Sequence, residues 1–462
     1  MAADSSDISR RLVSLALPVI GLNVLNVLAL TVDTIMIGHI PNSEVALTGL
    51  GFAVQILFLL MVAMIGLTVG TVALVARAHG ARDPDAVNHT FAQSVQLTVL
   101  LSVVVAVAGN LLCEPILRLL GAGPESIGAG RDYLHILLTG VVFNYLNILL
   151  IAVMRGVGNT RLPFFVALLM NLLNAALNYG LILGNYGMPA LGIQGAAIGT
   201  LVAQAFAVVM MAILIKRGRV PGLSLPMRLR AIDRVLAQRL VGIGTPAAMD
   251  MVVFNAGFLS IIGMLGHIDE IAVAAHGIGL RVQALAFVPG MSIGQATAAM
   301  VGNALGAKKT DEARATARSA MVLCAVIMTA LGMIFIVGAS PMLTLFDIQP
   351  GTPLAAYSIT WIRLLGICMP LVSIYIALGG VFQGSGSTRI PLRINIIATV
   401  AQVPMSALLG FGIGLGALGV WAAFPMALAM KSVMGFSAYR KNRWLESEPG
   451  RRGASTPGSD RR

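Results

Sequence analysis

Residues 12–40 read LVSLALPVIGLNVLNVLALTVDTIMIGHI. The run exceeds the roughly 20 apolar residues that cross a bilayer. It carries one carboxylate, Asp33, near its far end. Asn23 and Asn26 precede that acid on the same run, and Pro18 sits in the first half. An acid inside an apolar span costs roughly 2.5–3.5 kcal/mol on insertion scales, so it is a functional candidate by default.

The rest of the chain repeats the pattern. Of its 462 residues 57% are hydrophobic and only 11% charged, with a mean hydropathy of +0.88. A soluble chain of this length needs far more surface charge. About twelve runs are long enough to span, near 12–37, 49–76, 90–112, 132–153, 163–184, 192–215, 237–265, 277–304, 316–338, 358–382, 391–412 and 416–436. The fold class is therefore an all-α polytopic membrane protein of twelve transmembrane helices. A transmembrane barrel would show alternating segments of about 10 residues instead.

The net charge of +12 suggests nucleic acid until its placement is read. Lys and Arg gather at the termini and in the even-numbered gaps: Arg10 and Arg11, Arg77 and Arg82, Arg155 and Arg161, the stretch from Lys216 to Arg234, Lys308 and Lys309, Arg389, and Arg440 to Arg443. The odd-numbered gaps are bare apart from Arg118 and Arg131. That bias orients the chain with both termini in the cytoplasm, and no nucleic-acid partner is expected. The Arg10–Arg11 pair before an apolar run resembles a secretory signal, but the run is too long and lacks a clear cleavage site, so a retained first span is expected. Cys113, Cys324 and Cys368 stand singly and read as packing residues.

The chain is duplicated. PVIGLNVLN at Pro18 answers PAAMDMVVFN at Pro246, and the Gly38–His39–Ile40 triplet recurs at Gly266. ALVARAHGARDPDA from Ala73 answers AAMVGNALGAKKTDEA from Ala298, and RGVGNTRLP from Arg155 answers QGSGSTRIP from Gln383. The offset stays near 226–228 residues throughout. Six spans per copy is an even number, so the two copies are parallel repeats with a central site between lobes. The expected division is a cytoplasmic N-terminus at 1–11, lobes at 12–215 and 237–440, a basic cytoplasmic linker at 216–236, and a disordered cytoplasmic tail at 441–462.

Each motif has a bland reading beside a functional one. The paired GxGxTRxP turns read as structural turns, with Arg161 and Arg389 as anchors and Pro163 and Pro391 opening the next helix. Asp83, Asp85, Asp311 and Glu312 read as helix caps or lobe contacts. Span interiors are rich in amides: Asn144, Asn147, Gln204, and the run NLLNAALNYG. In that run Asn171, Asn174 and Asn178 fall on one helix face. That face is either interhelical glue within the lobe or a polar pocket facing Asp33. Asp33 and Asp250 have no acidic counterparts in the opposite repeat, where Ile261 and Leu22 stand. Asp250 is either a structural group paired with Arg281 or a second transport site. Pro18, Pro246, Pro289 and Pro370 lie inside spans, where kinks serve as hinges.

These features together resemble the multidrug and toxic compound extrusion (MATE) family, closer to its NorM-type branch. The carriers are VDTIMIGHI in span 1, GTPAAMD opening span 7, FVPGMSIGQATAAMVGNALGAKKTDEA across span 8, the two paired turns, and NAALNYGLILG followed by GIQGAAIGT. The resemblance implies two six-helix lobes in a V. It implies secondary antiport that exports small organic cations or lipophilic compounds in exchange for H+ or Na+, with no other cofactor and no catalysis. It implies a monomer embedded in the lipids of the cytoplasmic (inner) membrane. Asp33 matches the family's span-1 acid, and Asn174, Asn178 and Thr200 match positions that complete its proton or Na+ site. Some members carry Asp where this chain has Asn178, so one negative charge is missing here. The branch's further acids in spans 7 and 10 fall on Phe254 or Asn255 and near Val372 or Ser373. That leaves Asp250 as the possible second site. The rival expectation is a lipid-linked oligosaccharide flippase, which would gather several cations for pyrophosphate. Within the spans only Arg281, Arg318, Arg363, Arg393 and Lys431 are available.

Overall fold

The computed structural model describes residues 5–41, 43–226 and 231–446. Eleven helices among them are long and apolar enough to cross a membrane, and a bent pair makes a twelfth span. The first repeat comprises α1 (Ser5–Ile37), α2 (Ser43–Gly80), α3 (Pro84–Leu119), α4 (Pro124–Thr139), α5 (Val141–Gly156), α6 (Arg161–Leu183) and α7 (Ile193–Lys216). The second comprises α8 (Arg234–Gly266), α9 (Glu270–Gly306), α10 (Thr310–Met342), α11 (Pro353–Gly384), α12 (Arg389–Ala407) and α13 (Gly416–Arg440). Large apolar side chains such as Leu111, Val326 and Val337 remain exposed along the outer helices. Such faces suit a lipid surround, where apolar contact costs nothing.

The fourth span departs from the single helix expected at 132–153. It is α4 and α5, bent by 58° at Gly140. A Cβ at Gly140 would lie 2.1 Å from Leu201 Cδ1, so the bend lets the backbone close on α7. The corresponding span of the second repeat, α11, runs unbroken through Pro370. Beyond α13, residues Arg443–Glu446 form one more helical turn, α14. There Trp444 is buried and stacks on Tyr439. These residues open the stretch read from the sequence as a tail from 441. The remaining 447–462 lie outside the described residues.

The linker docks onto α3. Ser224 N–H donates to Asn88 Oδ1 at 2.7 Å, Asn88 Nδ2 donates to the Gly222 carbonyl, and Gln93 Nε2 donates to the Ala231 carbonyl at 3.0 Å. Val220 and Leu223 are buried in the first lobe. Asp233 caps α8, accepting from the amides of Val235 and Leu236, and His89 Nε2 lies 3.1 Å from its other oxygen. The His89 contact, with the Leu236 and Val235 amides, holds the Asp233 carboxyl below the usual carboxylate range. Asp83 caps α3 in the same manner.

Each lobe has its own apolar core. One is built on Phe91, Leu134, Tyr145 and Leu150, the other on Trp361, Trp421, Leu365 and Val372. A third core joins Ile8, Leu12 and Ala16 of α1 to Ile293 and Ala296 of α9, Cys324 of α10 and Ala377 of α11. The first helix of one lobe thus packs its basic-end half against the other lobe. Inter-lobe hydrogen bonds gather at the same end. Ser9 Oγ donates to Ser319 Oγ at 3.2 Å, Arg11 pairs with Glu312, and Asn23 Nδ2 donates to Ser292 Oγ at 2.9 Å. Arg155 donates to Gln295 Oε1.

The repeat reappears as a reciprocal crossing of α2 and α9. A Cβ on Gly80 would meet the Asn303 carbonyl oxygen at 2.0 Å, and one on Gly306 would meet the Arg77 carbonyl oxygen at 2.0 Å. Arg77 donates to the Ser385 carbonyl, and Asn303 Nδ2 donates to the Gly156 carbonyl. Both acceptors lie in the paired GxGxTRxP turns, whose Gly158 and Gly386 have φ of +79° and +77°. Those turns are therefore structural, and they also fasten lobe to lobe.

Candidate functional site

Asp33 lies one turn before the end of α1, at the end of the molecule opposite the basic loops. That half of α1 packs on α6 of its own lobe. Asn178 Nδ2 donates to Asp33 Oδ1 at 2.6 Å and reaches Asn174 Oδ1 at 3.4 Å. Asn174 Nδ2 donates in turn to Thr200 Oγ1 of α7 at 3.3 Å. Asn178 is fully buried and Asn174 nearly so, while Asp33 is half-buried. The four residues read from the sequence therefore form one hydrogen-bonded chain across three helices.

Local packing decides how that chain is held. Asn174 and Asn178 are spaced i, i+4, so they stack on one face of α6. Gly199 of α7 lies under Asn178, where a Cβ would stand 2.0 Å from its Oδ1. The amide thus turns its donor to the carboxylate and leaves Oδ1 buried without a hydrogen bond among the described residues. Tyr133 of α4, also buried, stands within electrostatic range of Asp33. Sequence reasoning missed it, because nothing in the α4 sequence reports that the Gly140 bend sits beside this pocket.

The other amides divide. Asn171 donates to the Ala167 carbonyl of its own helix, so it serves the helix rather than the pocket. Asn147 meets Met170 Sδ at 3.6 Å, Asn23 joins the lobes, and Asn26 is exposed.

Asp250 sits in the second lobe on α8, away from this chain. Arg281, its expected partner, is exposed and does not pair with it. Asn395 of α12 donates instead to the Asp250 backbone carbonyl at 2.9 Å, and the charge that faces it is Lys431 of α13. The correction has a simple cause. Arg281 lies on an exposed face of α9, whereas α13 turns Lys431 inward to 4% exposure. Of the five cations inside the spans, Arg281, Arg318, Arg363 and Arg393 are exposed and Lys431 alone is buried.

Chemically, the Asp33 pocket offers one negative charge and hard oxygen or amide groups. Such a set suits a proton or a singly charged cation and gives no nucleophile–base pair.

Comparison with known proteins bears on the same segments. A profile of the MatE family matches residues 18–180 and again 246–408, two copies at the spacing of the internal repeat. The probable multidrug resistance protein NorM of Thermotoga maritima is 26% identical over 440 residues, covering 95% of this chain and 93% of its own. The multidrug resistance protein NorM of Burkholderia vietnamiensis is 30% identical over 413 residues, covering 87% of each chain. A solved structure described as the outward-facing conformation of a multidrug resistance MATE family transporter of the MOP superfamily superposes with TM-score 0.88 at 21% identity, covering 96% of this chain and 97% of that one. Another, of MATE in the bent conformation, gives TM-score 0.87 at 20% identity, covering 96% of this chain and 99% of that one. The shared fold is two six-span lobes set as a V.

Proposed function

This chain belongs to the MatE family of membrane transporters, and from that premise we propose that it exports small organic cations and lipophilic compounds by antiport, with Asp33 as the coupling group. The membrane is the inner one, with the basic loops and both termini in the cytoplasm. In that orientation the lobe contacts at the basic end correspond to a gate closed towards the cytoplasm. The observation that carries the reading is the Asp33–Asn178 hydrogen bond, set in the half of α1 that faces away from that gate.

The mechanism needs one carboxylate and two exclusive ligands. A proton arriving from outside neutralises Asp33 and removes the counter-charge of a cationic substrate, which leaves. Loss of the proton towards the cytoplasm restores the charge, and Asn178 holds the ionised carboxylate for the next cycle. A ligand shifts such an equilibrium only by its differential affinity for the two states, and competition at Asp33 supplies that difference. Na+ would suit the same set through Asp33, Asn174 Oδ1, Thr200 Oγ1 and a rotated Asn178 amide. The single charge favours a monovalent ion. The flippase alternative calls for several cations that converge, and of the five cations within the expected spans Lys431 alone is buried.

The test is dye accumulation in everted vesicles, driven by an imposed proton gradient and separately by a Na+ gradient. Asp33→Asn is expected to abolish accumulation under both while reaching the membrane in normal amounts. Accumulation at the wild-type rate in that variant would remove Asp33 from the mechanism, and the two gradients distinguish the ions.

A further inference from the structure

In the second lobe, α8, α11, α12 and α13 converge on a group of side chains that the Asp33 mechanism does not use. Lys431 lies within the span with 4% exposure. Its ammonium stands 5.4 Å from the centroid of the Phe254 ring and 5.6 Å from that of Tyr375. Asp250 lies one helical turn before Phe254, so both project from one face of α8. The carboxylate and Lys431 feel each other's charge, yet among the described residues no direct ion pair joins them. Among the described residues Asp250 Oδ1 is buried without a hydrogen-bond partner, while the Asn395 side chain reaches the carboxyl group. Asp250, Phe254 and Tyr375 each retain partial exposure.

A structural ion pair would be arranged differently. Two buried charges offset their desolvation by close approach and full hydrogen bonding. Here the ammonium rests over aromatic faces and the acid keeps a bare oxygen. A carboxylate beside two ring faces is instead the arrangement that recognises a cation. The internal repeat adds an independent argument. The positions equivalent to Asp250, Phe254, Tyr375 and Lys431 in the first lobe are Leu22, Asn26, Asn147 and Gln204. The acid, both rings and the lysine are thus all present in one lobe and all missing from the other. The helical scaffold that both lobes share does not require them.

We propose that Asp250, Phe254 and Tyr375 form an organic-cation site in the second lobe, and that Lys431 is a tethered cation that fills it when no substrate is bound. A monovalent cation with an apolar body enters by displacing the lysine ammonium. The proposal rests on the transport reading for its ligand class only.

The experiment is equilibrium binding of tetraphenylphosphonium to the purified full chain in detergent, by calorimetry, without any gradient. Asp33→Asn is the background, so that the first lobe does not contribute. Lys431→Gln is expected to tighten binding about tenfold. Adding Asp250→Asn is expected to abolish that gain, and Lys431→Arg to bind no more tightly than the parent. Lys431→Met, of similar length and without a polar head, repeats the test in case the amide perturbs folding. Unchanged affinity in the Gln and Met variants overturns the proposal, as does a gain that survives Asp250→Asn. Failure of both variants to show a thermal unfolding transition overturns it too, because a site for an external cation must stand without its lysine. Absence of the binding gain, with dye export intact in the chain that keeps Asp33, refutes this site alone. The gain present while Asp33→Asn vesicles still export dye at the wild-type rate refutes the antiport reading alone.

Discussion

Gly199 carries no chemistry of its own, yet it sets the position of Asn178. Any Cβ there meets Asn178 Oδ1 at 2.0 Å, so Gly199→Ala forces the amide away from Asp33. Overpacking of this kind costs about 1–3 kcal/mol, which a chain of this size can absorb. Export should therefore suffer more than folding. The variant is expected to reach the membrane but to lose at least tenfold in the initial rate of dye accumulation per molecule. Wild-type rates would mean that the Asn178–Asp33 bond does not matter for transport. Asp33 itself was legible in the sequence because an acid in an apolar run is costly. Asn174 and Asn178 were legible from helical spacing, while Thr200 and the missing charge at Asn178 came from the family resemblance. Lys431 was visible as a residue but not as a buried one. Its burial depends on which face α13 turns to α8 and α11, and a helix with apolar residues all round carries no stripe that reports this.

At the scale of helices, apolar length predicted the twelve spans well. A bilayer leaves the backbone little choice, since every N–H and C=O must find a partner inside its own segment. The break in the fourth span was not legible. Gly140 is one of 51 glycines, and only the approach of Leu201 gives it meaning. The entry to α8 offers a pH test. Asp233 is held below the usual carboxylate range by His89 and by the first amides of the helix. A depressed acid stabilises the fold when ionised. That contribution is fully present above the unfolded-state carboxylate value and fades as pH falls through the lower folded-state value. Asp233→Asn keeps a capping oxygen but not the charge. The wild type is expected to unfold at a higher temperature than the variant at pH 7, with the gap closing as pH falls below about 4. Thermal unfolding in detergent across that range checks it. A gap that stays constant would show that the charge contributes nothing.

For the molecule as a whole, the point of interest is how α1 is shared. Its basic-end half belongs to the core of the second lobe, and its far half holds Asp33 against α6 of the first. On the proposed reading, a change of charge at Asp33 acts on a helix that also packs at the proposed gate. The reciprocal crossing at Gly80 and Gly306 completes that closure. Ser9 and Ser319 mark it with an Oγ–Oγ distance of 3.2 Å, near enough for cysteines placed there to form a disulfide with small adjustment. In a background with Cys113, Cys324 and Cys368 replaced, Ser9→Cys with Ser319→Cys is expected to cross-link under oxidant. Dye accumulation should then fall below about a tenth, and reductant should restore it, because alternating access requires the lobes to part at this end. Full export by the cross-linked protein would show that the contact does not open during the cycle.

Sequence alone was enough for the membrane class, the number of spans, the parallel duplication and the acid inside the first span. These rest on apolar length, on charge bias and on a repeat at constant offset, all of which are linear properties of the chain. Tertiary packing decided the rest: which amide reaches Asp33, which cation faces Asp250, and which lobe holds the first half of α1. Each of those depends on the rotation of one apolar helix about its axis. Lipid and protein surfaces are equally apolar, so the hydrophobic pattern does not report that rotation. It is settled by close contacts at small residues, here Gly199 under Asn178 and Gly80 against Asn303, and by the few polar groups that must find partners inside the bilayer.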